Sequence, residues 1–156
     1  ADCRLAPGAG QRVLDALAAN PDAAGGALAM RFAGRSRGPG PALVVGLNSL
    51  RARLSGISFG DQAQFFRQEA LERAGGFPAM ALMEDVELSL RLKSLGRPLF
   101  LPKGAAVSPR RWQRRGVISN FLAAGSLFLR YLAARRWDPD AAAATDYYRR
   151  YYRDAQ

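Results

Sequence analysis

In the stretch LMEDVELSLRLKSLG (82–96), Glu84, Asp85 and Glu87 fall within four positions of a chain whose formal charge is +10. Carboxylates crowded this closely can move a proton, hold a cation, or neutralise the positive end of a helix. The residues after them bear on which element carries them. Val86, Leu88, Leu90 and Leu92 alternate as in a strand, but Leu88, Leu92 and Leu95 make an i, i+4, i+7 stripe, with Val86 and Leu90 forming a second. Gly96 suits the position just past a helix, and acids suit a first turn. The stretch therefore predicts a helix buried on more than one side. If its acidic N-terminus opens onto a cleft, one carboxylate there can act as a general base. Capping of the helix is the plainer role for the same acids. Glu87, one turn further in, is expected to stay solvated or to pair with Arg91.

The elements that must position these acids follow from the rest of the pattern. Ala6-Pro7-Gly8 is turn chemistry, and Val13, Leu14, Leu17 and Ala18 recur at helical spacing until Asn20-Pro21. Leu28, Met30 and Phe32 alternate, which predicts a strand over 27–33, and residues 34–41 read as a loop. Leu43, Leu47, Leu50 and Leu54 give a helix with one apolar stripe. Residues 57–66 read as a strand interrupted by Gly60, and a short helix then ends at Gly75-Gly76. RPLFLP (97–102) is a further strand, 117–134 a long apolar helix, and 140–154 another helix after Asp138-Pro139. Alternating strands and helices predict an α/β fold.

Composition narrows the chemistry. At 156 residues, with 49% hydrophobic and 23% charged side chains, the chain has the make-up of a folded domain. It has one cysteine and no histidine, which excludes an internal disulfide, a histidine metal site and a histidine-based triad. The positive charge is concentrated late: residues 103–156 hold 11 basic and 4 acidic side chains, against 12 and 9 in residues 1–102. Such a bias suits an anionic partner, whether phosphate, membrane surface or nucleic acid. No apolar run follows a basic start, so a cytoplasmic location is expected. The opening ADCRLAPG reads as the end of a strand entering a turn.

Three segments taken together, GDQAQFFRQEALERAGGFP (60–78), LMEDVELSLRLKSLGRPLFLP (82–102) and SPRRWQRRGV (108–117), resemble the C-terminal half of a family 2 glycosyltransferase with the GT-A fold. Within that family the chain is most similar to the bacterial radical-SAM/selenodomain-associated group, and the likeness covers most of residues 1–135. The resemblance implies a Rossmann-like nucleotide-diphospho-sugar transferase domain. Residues 1–112 would form its acceptor-side part and 113–156 a basic, apolar helical extension, with the nucleotide-binding half upstream and this piece inactive alone. Asp85 would be the general base of an inverting transfer and Glu84 its neighbour, raising or orienting it. Gly60, Asp61 and Gln62 would line the donor and acceptor side of the cleft. Arg110 and Arg111 would neutralise the diphosphate, and Trp112 would wall the acceptor site. Asp2 would be the last acid of a motif binding Mg²⁺ or Mn²⁺. The histidine that often serves as a metal ligand in the wider superfamily is absent here. The implied partners are a nucleotide-diphosphate sugar and an unidentified hydroxyl acceptor, a lipid among the candidates.

A different class of function is a module without chemistry that binds a membrane surface or another anionic partner. Nucleic acid is the weakest of these, because in DYYRRYYRD (146–154) the i, i+4 tyrosine pairs suit packing and no nucleic-acid motif accompanies them. The helix at 117–134 is apolar, but Ser119, Asn120, Ser126 and Arg130 interrupt it. It is expected to pack on the domain rather than span a bilayer, with peripheral attachment to an anionic interface as the alternative.

Overall fold

The computed structural model describes residues 3–34, 40–80, 82–108 and 116–137. The fold is α/β with a mixed four-stranded sheet, an arrangement compatible with a Rossmann-like fold. The strands are β1 (Cys3–Leu5), β2 (Gly25–Phe32), β3 (Gln64–Phe66) and β4 (Pro98–Val107), in the spatial order β1-β4-β2-β3. β2 and β4 run parallel at the centre, and β1 and β3 are antiparallel edges. Among the described residues the helices are α1 (Ala9–Ala19), α2 (Gly40–Ser55), α3 (Gln68–Arg73), α4 (Glu84–Leu95) and α5 (Val117–Trp137), with a 3-10 turn at Gly60–Gln62.

The central pair is built on two glycines. A Cβ on Gly26 would lie 1.9 Å from the Leu99 carbonyl oxygen, and one on Gly25 would lie 2.4 Å from that of Phe65. Only a residue without a side chain allows β3, β2 and β4 to approach this closely. The register runs from Gly25↔Pro98 to Leu28↔Leu101, then shifts before Met30↔Ala105. The shift falls where Pro102 lacks an N–H to donate and where Gly104 lies under the Leu28 side chain.

Arg67 fastens the far edge. Its Nε donates to the Ala23 carbonyl at 2.9 Å, and its Nη2 donates to the carbonyls of Leu17 and Asn20 at the C-terminus of α1. A cation there satisfies helix-end carbonyls and complements the dipole.

Most expected elements are present, with three differences. The strand expected over 57–66 is reduced to β3, because Gly60–Gln62 coils into the 3-10 turn. The strand expected over 97–102 continues to Val107, where it pairs with both β1 and β2. The leucine stripe of α2 is turned outward: the helix buries Val44, Asn48 and Ala52 instead. Val44 packs with Met30, Phe32 and Val107, and Asn48 lies over the Met30 sulfur. The helix expected over 140–154 lies outside the described residues.

α5 belongs to the core, as its packing expectation required. Leu127, Phe128 and Tyr131 are buried with Ile57, Met83 and Val86. Among the described residues no helix is long and apolar enough to cross a membrane.

The two kinds of glycine give a paired prediction. Gly26→Ala should force β2 and β4 apart and lower stability by more than about 2 kcal/mol. Gly46→Ala, on α2 with nothing within 4 Å of the added methyl, should raise stability by roughly 0.5–1 kcal/mol. Urea denaturation of both variants checks the contrast.

Candidate functional site

The acids of α4 meet a cavity of about 340 Å³. Glu84 and Asp85 line it from the start of α4, Gly60 and Asp61 from the 3-10 turn, and Asn48 and Arg51 from α2. α5 closes the opposite side with Asn120, Phe121, Ala124, Gly125, Leu127 and Phe128, and Val107 and Ser108 complete it at the end of β4. Four of the five positions anticipated around this cleft therefore converge on it: Gly60, Asp61, Glu84 and Asp85.

The fifth position, Gln62, stands behind the wall. Its side chain is 1% exposed, and its Oε1 accepts hydrogen bonds from Arg51 Nη2 and the Phe59 N–H, each at 3.1 Å. It supports the cavity residues instead of lining the cavity. Asp2, Arg110, Arg111 and Trp112 lie outside the described residues. The first described neighbour of Asp2 is Cys3, which pairs with the cavity residue Val107. Burial raises the Cys3 thiol pKa, and the charge of Asp61 adds to it.

Asp85 is held by the backbone. Its Oδ2 accepts the Gly60 N–H at 2.5 Å, and its Oδ1 accepts the N–H of Val86 at 2.7 Å. Burial raises its pKa above the ordinary aspartate value. The Gly60 hydrogen bond opposes that rise, and the charge of Glu84 adds to it. These backbone contacts orient the carboxylate. The turn into α4 is itself strained: Met83, immediately before Glu84, has φ of 67°. A left-handed non-glycine residue costs roughly 1 kcal/mol or more, and burial of the Met83 side chain in the core offsets it.

A polar network behind Asp85 fixes the start of α4 against the 57–64 segment. The Gln64 amide nitrogen lies 2.9 Å from the Asp85 carbonyl, 2.9 Å from Ser89 Oγ and 2.9 Å from Ser58 Oγ. The Ser58 N–H donates to Ser89 Oγ at 3.1 Å. Arg51 supports the same region from α2. Its Nη1 donates to the Ile57 carbonyl at 3.0 Å, and its guanidinium stacks 3.7 Å from the Phe59 ring centroid. Burial lowers the Arg51 pKa, while the charges of Asp61 and Asp85 favour its cationic form. The arginine therefore puts a positive charge against the acid side of the cavity.

Glu87 overturns the expectation of a solvated acid. It is buried, and the anticipated Arg91 pair is present at 2.9 Å as one part of a larger cluster. Tyr131 donates its hydroxyl to Oε2 at 2.6 Å, and Arg135 reaches Oε2 at 2.6 Å and Oε1 at 3.2 Å. Burial alone would raise this carboxyl. Hydrogen bonds from Arg135, Tyr131 and Arg91 outweigh it and hold the pKa at about 2.

Sequence reasoning missed Arg51, Gln64, Ser89 and the two Glu87 partners on α5, Tyr131 and Arg135. Ser89 left a trace, a lone hydroxyl in the apolar run VELSLRL, which asks for a buried partner. Tyr131 and Arg135 stand at i, i+4 on α5, as Glu87 and Arg91 do on α4, but nothing local says that the two pairs meet.

Among the described residues no group of three or more Cys, Asp or Glu side chains is placed to hold a metal ion. Comparison with protein-family models, curated proteins and solved structures finds no match.

The Glu87 cluster predicts a pH dependence with a definite sign. A carboxylate with a depressed folded-state pKa stabilises the fold above its unfolded value and loses that contribution as pH falls. The window here runs from the ordinary glutamate value of 4.5 down to about 2. The full contribution is at most about 3 kcal/mol, and less in practice because Arg91 and Arg135 are partly solvated. Urea midpoints should fall from pH 5 to pH 2.5 in the wild type and fall less in Glu87→Gln, which starts lower. An equal fall in both proteins would contradict the assignment.

Proposed function

We propose that the protein is an inverting glycosyltransferase of GT-A type, or the acceptor-side part of one, with Asp85 as its general base. One observation carries the reading: a carboxylate of raised pKa lines a cavity at the start of α4, with its orientation fixed by two backbone N–H groups. The resemblance of segments 60–78 and 82–102 to family 2 glycosyltransferases supports it, since it gives Asp85 the same role.

In such a transfer one Asp85 oxygen takes the proton of the acceptor hydroxyl as that oxygen attacks the anomeric carbon. The new carbon–oxygen bond forms on one face of the sugar while the bond to the nucleoside diphosphate breaks on the other, so a single base suffices. A raised pKa makes Asp85 a stronger base than a solvated aspartate. Glu84 contributes to that rise by repulsion, and Arg51, whose cationic form the charges of Asp61 and Asp85 favour, sets a positive charge nearby. The cavity's apolar wall from α5 excludes water that would compete with the acceptor. Gly60 and Asp61 stand beside the base, where they can position sugar hydroxyls.

The described residues do not by themselves fit a divalent cation, and no step here runs through one. Dependence on Mg²⁺ or Mn²⁺ is a proposal that rests on Asp2.

The test is Asp85→Asn in the full-length protein, assayed by release of nucleoside diphosphate across a panel of nucleotide sugars. Turnover should fall by roughly 10²-fold or more with donor affinity little changed, because asparagine keeps an acceptor for Gly60 but cannot take the proton. Glu84→Gln should be milder. Near-normal turnover in Asp85→Asn would remove that residue from the role.

A further inference from the structure

The outward face of α2 carries a row of large apolar side chains that stand exposed. Leu43, Leu47, Leu50 and Leu54 are 62%, 37%, 53% and 78% exposed. At 100° per residue they fall within about 60° of one another, so they form one continuous ridge. α5, which packs against α2, does the same on its outer side with Leu122, Leu129 and Trp137, the last 85% exposed. A soluble surface seldom leaves so many large apolar side chains on two adjoining helices without a partner.

The charges of the two helices identify the partner. Neither α2 nor α5 contains a single acidic residue, and their exposed ionised side chains are Arg53, Arg130 and Arg136. Leucines and an indole beside arginines, with no acid among them, match the boundary between anionic headgroups and acyl chains. A second copy of the chain matches less well. The leucine spacing would suit helix pairing, but it would bring together two chains of formal charge +10, with no acid on either helix to meet Arg53.

We propose that α2 and α5 form a docking face for an anionic phospholipid bilayer. The leucines and Trp137 enter the interface, and Arg53, Arg130 and Arg136 meet lipid phosphates. The inner faces of the same two helices wall the cavity through Asn48, Arg51, Phe121 and Phe128. Docking therefore sets the cavity immediately behind the membrane surface, within reach of a lipid-borne substrate. The proposal does not depend on glycosyl transfer.

The experiment is co-sedimentation of the full chain with large vesicles of phosphatidylcholine alone or mixed with phosphatidylglycerol, with circular dichroism as a control of folding. Binding to the anionic vesicles should be at least about tenfold tighter. The double variant Leu47→Ser, Leu50→Ser changes only exposed side chains and should weaken it by about tenfold or more. Arg53→Glu with Arg130→Glu should remove the preference for anionic lipid. Absence of vesicle binding, or binding that the leucine variant leaves unchanged, overturns the proposal. So does a concentration-dependent dimer, seen by sedimentation velocity without vesicle binding and abolished by the leucine variant; that result would assign the ridge to a second copy.

Discussion

The Glu87 carboxylate is the contact on which the site side of the molecule depends. It sits buried between α4 and α5 and receives Arg91 from its own helix and Tyr131 and Arg135 from the other. Apolar packing alone would let α5 slide or rotate over α4 with little change in buried area. Two directional donors from α5, Tyr131 and Arg135, on one α4 carboxylate fix both the rotation and the height of the two helices. Because α5 provides most of the apolar wall of the cavity, and α4 provides Asp85, the cavity exists only while this joint holds. The joint is also demanding: removing one partner leaves a charge in a place where water cannot reach it easily.

Two residues apart on the same helix, Asp85 and Glu87 are driven in opposite directions. Both are acids withdrawn from bulk water, and burial pushes each toward protonation. Glu87 faces two arginines and a phenol, which reverse the effect. Asp85 takes its hydrogen bonds from backbone N–H groups and has the like charge of Glu84 beside it. The helix dipole favours ionisation of both, so the difference arises in the tertiary neighbours. One acid is thereby made a fixed anion of the scaffold, and the other a carboxylate able to exchange a proton. That separation is the physical basis on which a base is proposed at Asp85.

Much of the fold was legible because local signals agree. Asn20-Pro21, Gly75-Gly76 and Gly96 mark helix ends where the helices do end, and the acids of 84–87 mark the start of α4. What the sequence concealed was partnership. Glu87–Arg91 could be read because both residues lie on one helix. Glu87–Tyr131 spans 44 positions and has no local signature. The α2 helix was legible as a helix, but its leucines gave no sign that they would face outward. The buried side of α2 is the one that fits against β2, where Asn48 lies over the Met30 sulfur and Val44 packs with Met30 and Phe32. At the site, the sequence pointed to Asp85 and Gly60 separately, and only the folded chain joins them through a hydrogen bond. The resemblance implied that Gln62 lines the cleft, whereas its amide is needed inside to satisfy Arg51 and Phe59.

The central claim, that the seating of α5 sets these two neighbouring acids apart, is tested most directly by a carboxyl ¹³C NMR titration of the full chain. The account predicts that Asp85 titrates above the ordinary aspartate value while Glu87 remains ionised down to about pH 3. It predicts further that in Tyr131→Phe, which removes one donor without removing the ring, the Glu87 midpoint rises toward that of a solvated glutamate. Ordinary midpoints for both residues, or a Glu87 midpoint indifferent to the loss of the Tyr131 hydroxyl, would contradict it.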